Sequence, residues 1–154
     1  MNRAIANSYR TAISRRSLSA PTKWLLDHDL IKGKVLDFGC GRGGDADRLR
    51  FDHGFECGQY DPHYSPFYPL DGQYDTIICN YVLNTVPEQE ATCILAKINH
   101  LYHFVGGVAY ITVRRDIKKP GYTKIGTYQR NVKLDLPIVH ENKDFCIYRM
   151  TSFD

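Results

Sequence analysis

The stretch from Lys34 to Arg50, KVLDFGCGRGGDADRLR, constrains what this chain can fold into more than any other. A short apolar run ends on an aspartate, passes through a glycine-rich turn and meets residues suited to a helix start. Gly39, Gly41 and Gly44 satisfy G-x-G-x-x-G, and Gly39, Gly41 and Gly43 satisfy G-x-G-x-G. Glycine has no Cβ, so such a loop turns tightly and lets a ligand approach its backbone. The helix behind it offers free N–H groups and a partial positive charge. Structural turns use glycines too, so context decides. Here the glycines follow a predicted strand, open a predicted helix, and precede Asp61 by about twenty residues, at the end of the next predicted strand. An acid there accepts hydrogen bonds from ribose hydroxyls. The pattern points to a nucleoside-containing cofactor.

Asp37 separates the cofactors that fit. A dinucleotide brings a pyrophosphate, and a carboxylate two positions before the first glycine sits badly beside it. S-adenosylmethionine has no phosphate; it carries an ammonium, a sulfonium and one carboxylate. Asp37 suits the cationic end, while the glycine amides and the helix start suit the carboxylate. Capping of nearby loop amides is the plain structural alternative for Asp37. No lysine follows the glycines as a P-loop requires, and no Y-x-x-x-K supports a dehydrogenase.

The remaining pattern builds a frame around that loop. Residues 1–32 are expected to form a helical extension, with Ser19 as a cap, Pro21 in a first turn and Gly33 at a helix end. Residues 33–154 are expected to form the core of a single domain. FECGQYD and YDTIICNYVL read as strands, and PEQEATCILAKINHLYHF reads as a helix with Ile94, Leu95, Ile98 and Leu101 on one face. VAYITVRR, NVKLDLPIV and DFCIYRM read as further strands. The expected fold class is α/β: a Rossmann-like three-layer sandwich with a mostly parallel sheet and an antiparallel edge strand. Ligands of such sheets collect at the carboxyl ends of the strands, near the reversal of strand order.

Composition narrows the setting. No apolar run is long enough to span a bilayer, and the polar N-terminus lacks a signal peptide's apolar core, so the chain is read as soluble and cytoplasmic, with no membrane partner. Cys40, Cys57, Cys79, Cys93 and Cys146 are odd in number and form no C-x-x-C, which favours reduced thiols. His100 and His103 have no third ligand at suitable spacing, so no metal site is expected. The net charge of +3 is unevenly spread. Arg3, Arg10, Arg15, Arg16 and Lys23 precede the first acid. A second basic stretch holds Arg114, Arg115, Lys118, Lys119, Lys124, Arg130 and Lys133, with Tyr122 and Tyr128 interleaved. Such stretches permit nucleic acid as a partner, and are equally compatible with a solvated surface.

VLDFGCGRGGDADRL resembles the glycine motif of class I S-adenosylmethionine-dependent methyltransferases. GQYDP resembles their second-strand motif, YDTIICNYVLNTVPE their fourth strand and VGGVAYITVRRD their fifth. NYVLNTVPE together with TAISRRSLSAPTKWLLDHDLI further resembles the group of methyltransferase-like domains associated with DNA phosphorothioation. The resemblance implies an S-adenosyl-L-methionine site around Asp37, Phe38, Gly39, Cys40 and Gly41, then Asp61 and Pro62, then Cys79 and Asn80. In one respect the sequence departs from that family's pattern, and a fold shortened by loss of the usual third strand is expected. PHYSPFYPLDGQ is too short for the usual helix and third strand, so Tyr64, Phe67, Tyr68 or Leu70 would have to cover the adenine, unless these residues simply pack over a sheet edge.

Methyl transfer from a sulfonium needs little acid–base help, because the leaving group is a neutral thioether. Holding donor and acceptor in line can lower the barrier by on the order of 7–11 kcal/mol. Asn80 or Tyr81 is expected to orient the acceptor, or else to shape the methionine pocket. The acceptor is unidentified, with nucleic acid or a nucleic-acid-associated molecule as candidates and a protein partner possible. A binding module without turnover is the alternative to an enzyme.

Overall fold

The computed structural model describes residues 2–12, 17–67, 70 and 72–152. Four strands come first in chain order, the glycine loop following the first of them: β1 (Val35–Phe38), β2 (Cys57–Tyr60), β3 (Thr76–Asn80) and β4 (Val108–Arg114). Two short strands, β5 (Gly121–Tyr122) and β6 (Tyr128–Gln129), form a hairpin of their own. β7 (Ile138–Glu141) and β8 (Phe145–Thr151) close the chain. The main sheet has six strands in the order β2-β1-β3-β4-β8-β7. β1 to β4 are parallel, and β8 runs antiparallel to both its neighbours. The antiparallel strand therefore lies one place in from the edge. β7 forms the edge itself, because a short turn at Asn142–Asp144 folds β7 and β8 into a hairpin.

The third strand usual to this fold is absent, as the spacing predicts. After β2 the chain makes an isolated bridge between Asp61 and Ser65, and the described residues from there to β3 include no helix. From β1 the chain steps outward to β2 on one side, and β3 lies on the other. The reversal of strand order thus falls between β1 and β3, and opens a crevice at their carboxyl ends.

All four residues of β1 are buried, as expected of a strand covered on both faces. Alternation nevertheless sorts the side chains. Leu36, Phe38, Ile77 and Cys79 join one core cluster, with α4 (Glu88–His100) supplying Ala91 and Ile98. Val35 and Ile78 join another, with Leu25 of α2 (Ala20–Asp27) and Ala46 and Leu49 of α3 (Gly44–Phe51). Asp37 shares a face with Val35, and Asn80 with Ile78. Both point toward the α2/α3 layer.

The N-terminal region is less continuous than its sequence suggests. α1 (Arg3–Asn7) passes into a 3-10 turn, Ser8–Thr11, and among the described residues the next helix starts at Ala20. Arg15 and Arg16 lie outside the described residues. Ser19 stands at the N-cap of α2 but makes no side-chain cap to its own helix. Its hydroxyl and amide turn to Asp45 of α3 instead. α1 and its turn are tied to the β5–β6 hairpin: Asn7 Nδ2 donates to the Gly126 carbonyl at 3.1 Å and Arg10 to that of Ile125 at 2.9 Å, and Arg3 lies over the Tyr122 ring. Among the described residues, no helix is long and apolar enough to cross a membrane.

Candidate functional site

The crevice holds a cavity of about 420 Å³. Its floor is made by the strand ends, with Asp37 and Phe38 from β1, Asp61 after β2, and Asn80 and Tyr81 from β3. Ile5, Tyr9 and Ala12 roof it. Two backbone positions bring the floor together. Gly39 adopts φ +80°, and a Cβ there would stand 2.4 Å from a Val82 methyl. Tyr81 adopts φ +63°, a left-handed conformation that costs a non-glycine residue roughly 1–3 kcal/mol. This turn at the end of β3 presses Val82 against the glycine loop and leaves Tyr81 on the cavity wall.

The cavity's polar end faces α2 and α3. Asp37 is 4% exposed, and its carboxylate accepts no hydrogen bond among the described residues. Burial pushes its pKa well above the usual carboxylate range; nearby Asp45 and Asp61 push it the same way, against a smaller opposing pull from Arg50. A carboxylate so placed fits a cation. Asp45, by contrast, is engaged by neighbouring donors. It accepts from the Ser19 amide at 2.8 Å, the Ser19 hydroxyl at 2.5 Å and the Thr22 hydroxyl at 2.6 Å. Asn80 joins this network by donating from Nδ2 to the Thr22 hydroxyl at 2.8 Å. Its Oδ1 is buried without a partner. The network thus fixes the Asn80 amide against α2, which turns it from a freely swinging group into part of the wall.

Asp61 stands between the two ends of the cavity. Its Oδ2 accepts from the Gly41 amide at 3.0 Å, and its Oδ1 from the amides of His63 and Tyr64 at 2.8 and 3.0 Å. A carboxylate has about four acceptor positions, so one is left for a ribose hydroxyl. The acid therefore also clamps the glycine loop to the turn after β2. Beyond it lies the apolar end, with Phe38, Tyr60, Pro62, Val86 and Ile94.

The residues expected to cover the adenine are dispersed. Tyr64 meets Tyr9 edge-on and lies under Arg42. Phe67 is 95% exposed, Leu70 packs against the core, and Tyr68 lies outside the described residues. Tyr9 instead stacks on His63, with ring centroids 4.0 Å apart. Cys79 also departs from expectation. Strand alternation turns its side chain into the core on the α4 side, off the cavity wall, so at that strand end Asn80 and the following Tyr81 line the cavity and Cys79 does not. Sequence reasoning missed Tyr9, Val86 and Glu90. Of these, only Glu90 carried any signal, as an acid in the first turn of a predicted helix.

Cysteine chemistry contributes little here. Burial pushes the Cys40 and Cys57 thiols up to about 12, and Cys79 higher still. Cys93 is exposed. Alkylation by iodoacetamide at pH 8, followed by mass spectrometry, should modify Cys93 first and leave Cys40 and Cys79 largely untouched while the protein is folded. Early loss of the Cys40 thiol would contradict the buried loop geometry. Among the described residues, no group of His, Cys, Asp and Glu is placed to hold a metal ion.

A parallel sheet with a reversal crevice, a glycine loop, a ribose-position acid and an unpaired carboxylate in place of a phosphate cradle define the class I methyltransferase arrangement. The chain belongs to the methyltransferase domain family, whose profile matches residues 6–122, and it is an S-adenosylmethionine-dependent methyltransferase. Among curated proteins, no sequence matches the chain. Solved structures share the fold at low identity. The 1,6-didemethyltoxoflavin-N1-methyltransferase of Burkholderia thailandensis is 19% identical with TM-score 0.59, over 86% of this chain and 76% of its own. The N-methyltransferase NodS of Bradyrhizobium japonicum is 10% identical with TM-score 0.57, over 97% and 98%. A protein solved in work on disulfide-to-thioacetal conversion in echinomycin biosynthesis is 21% identical with TM-score 0.56, over 65% of this chain. The chain spans only 51% of that protein's length.

Proposed function

We propose that the crevice holds S-adenosylmethionine with its amino-acid end over Asp37 and its ribose at Asp61, and that the methyl acceptor is a small, largely apolar molecule enclosed beneath α1. The observation that carries the cofactor placement is Asp37: a buried carboxylate with no partner in a mostly apolar cavity. When bound, the cofactor supplies an electrophilic methyl group on a sulfonium. Asp37 stabilises the cationic end, and the orphaned Asn80 Oδ1 can accept a hydrogen bond from the ammonium. Phe38, Gly39, Cys40, Gly41 and Pro62 shape the channel between them. Tyr81, held in its strained conformation, is the residue left to orient the acceptor.

The surface of the roof supports a small acceptor. Ile5, Ala6 and Tyr9, with Val82 and Thr85 opposite, offer apolar and hydroxyl surface, and the cations of the cavity wall are Arg42 and Lys97. Much of the basic sequence is engaged elsewhere. Arg114 pairs with Asp116, Arg115 with Glu141, and Arg130 Nε donates to the Val86 carbonyl at 2.6 Å. The narrower likeness to the phosphorothioation-associated group is part of the same reading, supported by NYVLNTVPE; part of its upstream segment lies outside the described residues.

Calorimetry with S-adenosylhomocysteine, then methyl-transfer assays on panels of small molecules and of nucleic acids, test this reading. Product binding and turnover on a small aromatic or aliphatic acceptor are expected. Turnover confined to nucleic acid would overturn the acceptor assignment, and tight product binding with no turnover on either panel would favour a binding module.

A further inference from the structure

The two ends of the cavity differ in chemistry, and that difference orients the cofactor. Asp37, Asp45 and Ser19 make the α2/α3 end polar and acidic, while Phe38, Tyr60, Val86 and Ile94 make the α4 end apolar. With ribose at Asp61, the cationic amino-acid portion goes to the first end and the flat base to the second. A base buried there still presents an exocyclic amino donor, which needs an acceptor. Among the described residues, the short connection after β2 offers little. Asp61 already holds three amides, and Asp75 Oδ2 accepts from the Lys34 amide at 2.8 Å.

Glu90 supplies what is missing. It lies on the cavity wall in the first turn of α4, half-buried, and its carboxylate has neither hydrogen bond nor ion pair among the described residues. Helical side chains lean toward the helix N-terminus, which directs Glu90 up into the crevice rather than down the helix. Ile94, one turn later on the same face, forms an apolar bed beside it. Lys97 lies seven residues on from Glu90 at the exposed margin, and no ion pair ties the two. Of the carboxylates on the cavity wall, Asp45 and Asp61 are committed and Asp37 sits at the cationic end. Glu90 alone is free to meet the base.

We propose that Glu90 accepts a hydrogen bond from the adenine amino group and makes the site selective for adenine; this rests on the cofactor placement above. The test is calorimetric binding of S-adenosylhomocysteine and S-inosylhomocysteine, in which an oxygen acceptor replaces the amino donor, to the full chain and to Glu90→Gln. The wild-type protein should prefer the adenosyl compound by about tenfold or more, as expected for a hydrogen bond to a charged acceptor. In Glu90→Gln the amide can donate to the inosyl oxygen, and the preference should fall to within about threefold. Glu90→Ala should lose adenosyl affinity without that compensating gain. A wild-type preference retained in both variants overturns the assignment to Glu90 while leaving the cofactor placement standing. Failure of the wild-type chain to bind either compound overturns both.

Discussion

Replacing Asp37 with asparagine is expected to stabilise the cofactor-free protein while weakening S-adenosylmethionine binding by about two to three orders of magnitude. The two effects share one cause. An ion buried without a partner carries a desolvation cost on the order of several kcal/mol, and the asparagine side chain would remove the charge while keeping the shape. Each recovered kcal/mol should raise the melting temperature by about 2–4 °C in a chain of this size. The bound cation would lose its counter-charge, which sets the affinity loss.

The pH dependence has a definite sign. Burial raises the Asp37 pKa in the folded protein, so the native state binds its proton more tightly than the unfolded chain does. Its contribution to stability is therefore fully present below the unfolded value and is lost as pH rises through the raised folded value. Cofactor binding runs the other way. It requires the carboxylate, so affinity should fall as pH drops below that raised value. Melting temperature and Kd measured across pH, in wild type and Asp37→Asn, check both slopes. Parallel curves for the two proteins would show that Asp37 is not the titrating group.

Asp45→Ala should have the largest effect on stability itself. The carboxylate satisfies three donors at the start of α2, two of them hydroxyls buried with it. Removing it strands those donors and unties α2 from α3. A loss of about 3 kcal/mol is expected, or a fall in melting temperature of about 6–12 °C. One effect opposes this: without Asp45, the repulsion on Asp37 eases. The hydrogen bonds outweigh it, because they are direct contacts while the repulsion is only the second cause of the Asp37 shift. Asp45→Ala should therefore cost more in an Asp37→Asn background, where no repulsion remains to be relieved. Strictly additive thermal shifts in the double variant would remove the coupling between the two acids.

Much of the fold was legible before any coordinates. KVLDF and TIICN are apolar runs of strand length, and the glycines between β1 and α3 could serve little but a tight turn. The gap after Asp61 was too short to hold a helix and strand, and its described residues form neither. The N-terminal region was harder to read. Ser19 has the right identity and position for a cap, but a carboxylate from another helix outcompetes local capping, and no local pattern reports on that. The β5–β6 hairpin escaped because strands of two residues leave no alternation to detect. Cys79 was assigned by its place at a strand end, whereas alternation turns its side chain into the core.

The adenine end shows the same limit. Proline and aromatic content drew attention to residues 62–73, since these were adjacent in sequence to the ribose acid. In the proposed placement the base-facing wall comes from α4 instead, and the roof from Tyr9 stacked on His63 across fifty-four positions of sequence.

By itself, the sequence determined the order of the parallel strands and their helices, the glycine turn and the two acids proposed to select a phosphate-free nucleoside cofactor, because each depends on residues within a few positions of one another. Tertiary structure alone decided which carboxylates are spent and which are free. Asp45 and Asp61 are engaged by donors that include distant segments, and among the described residues Asp37 and Glu90 are not. A side chain's chemistry is written in its identity, but its availability depends on the partners that folding brings to it.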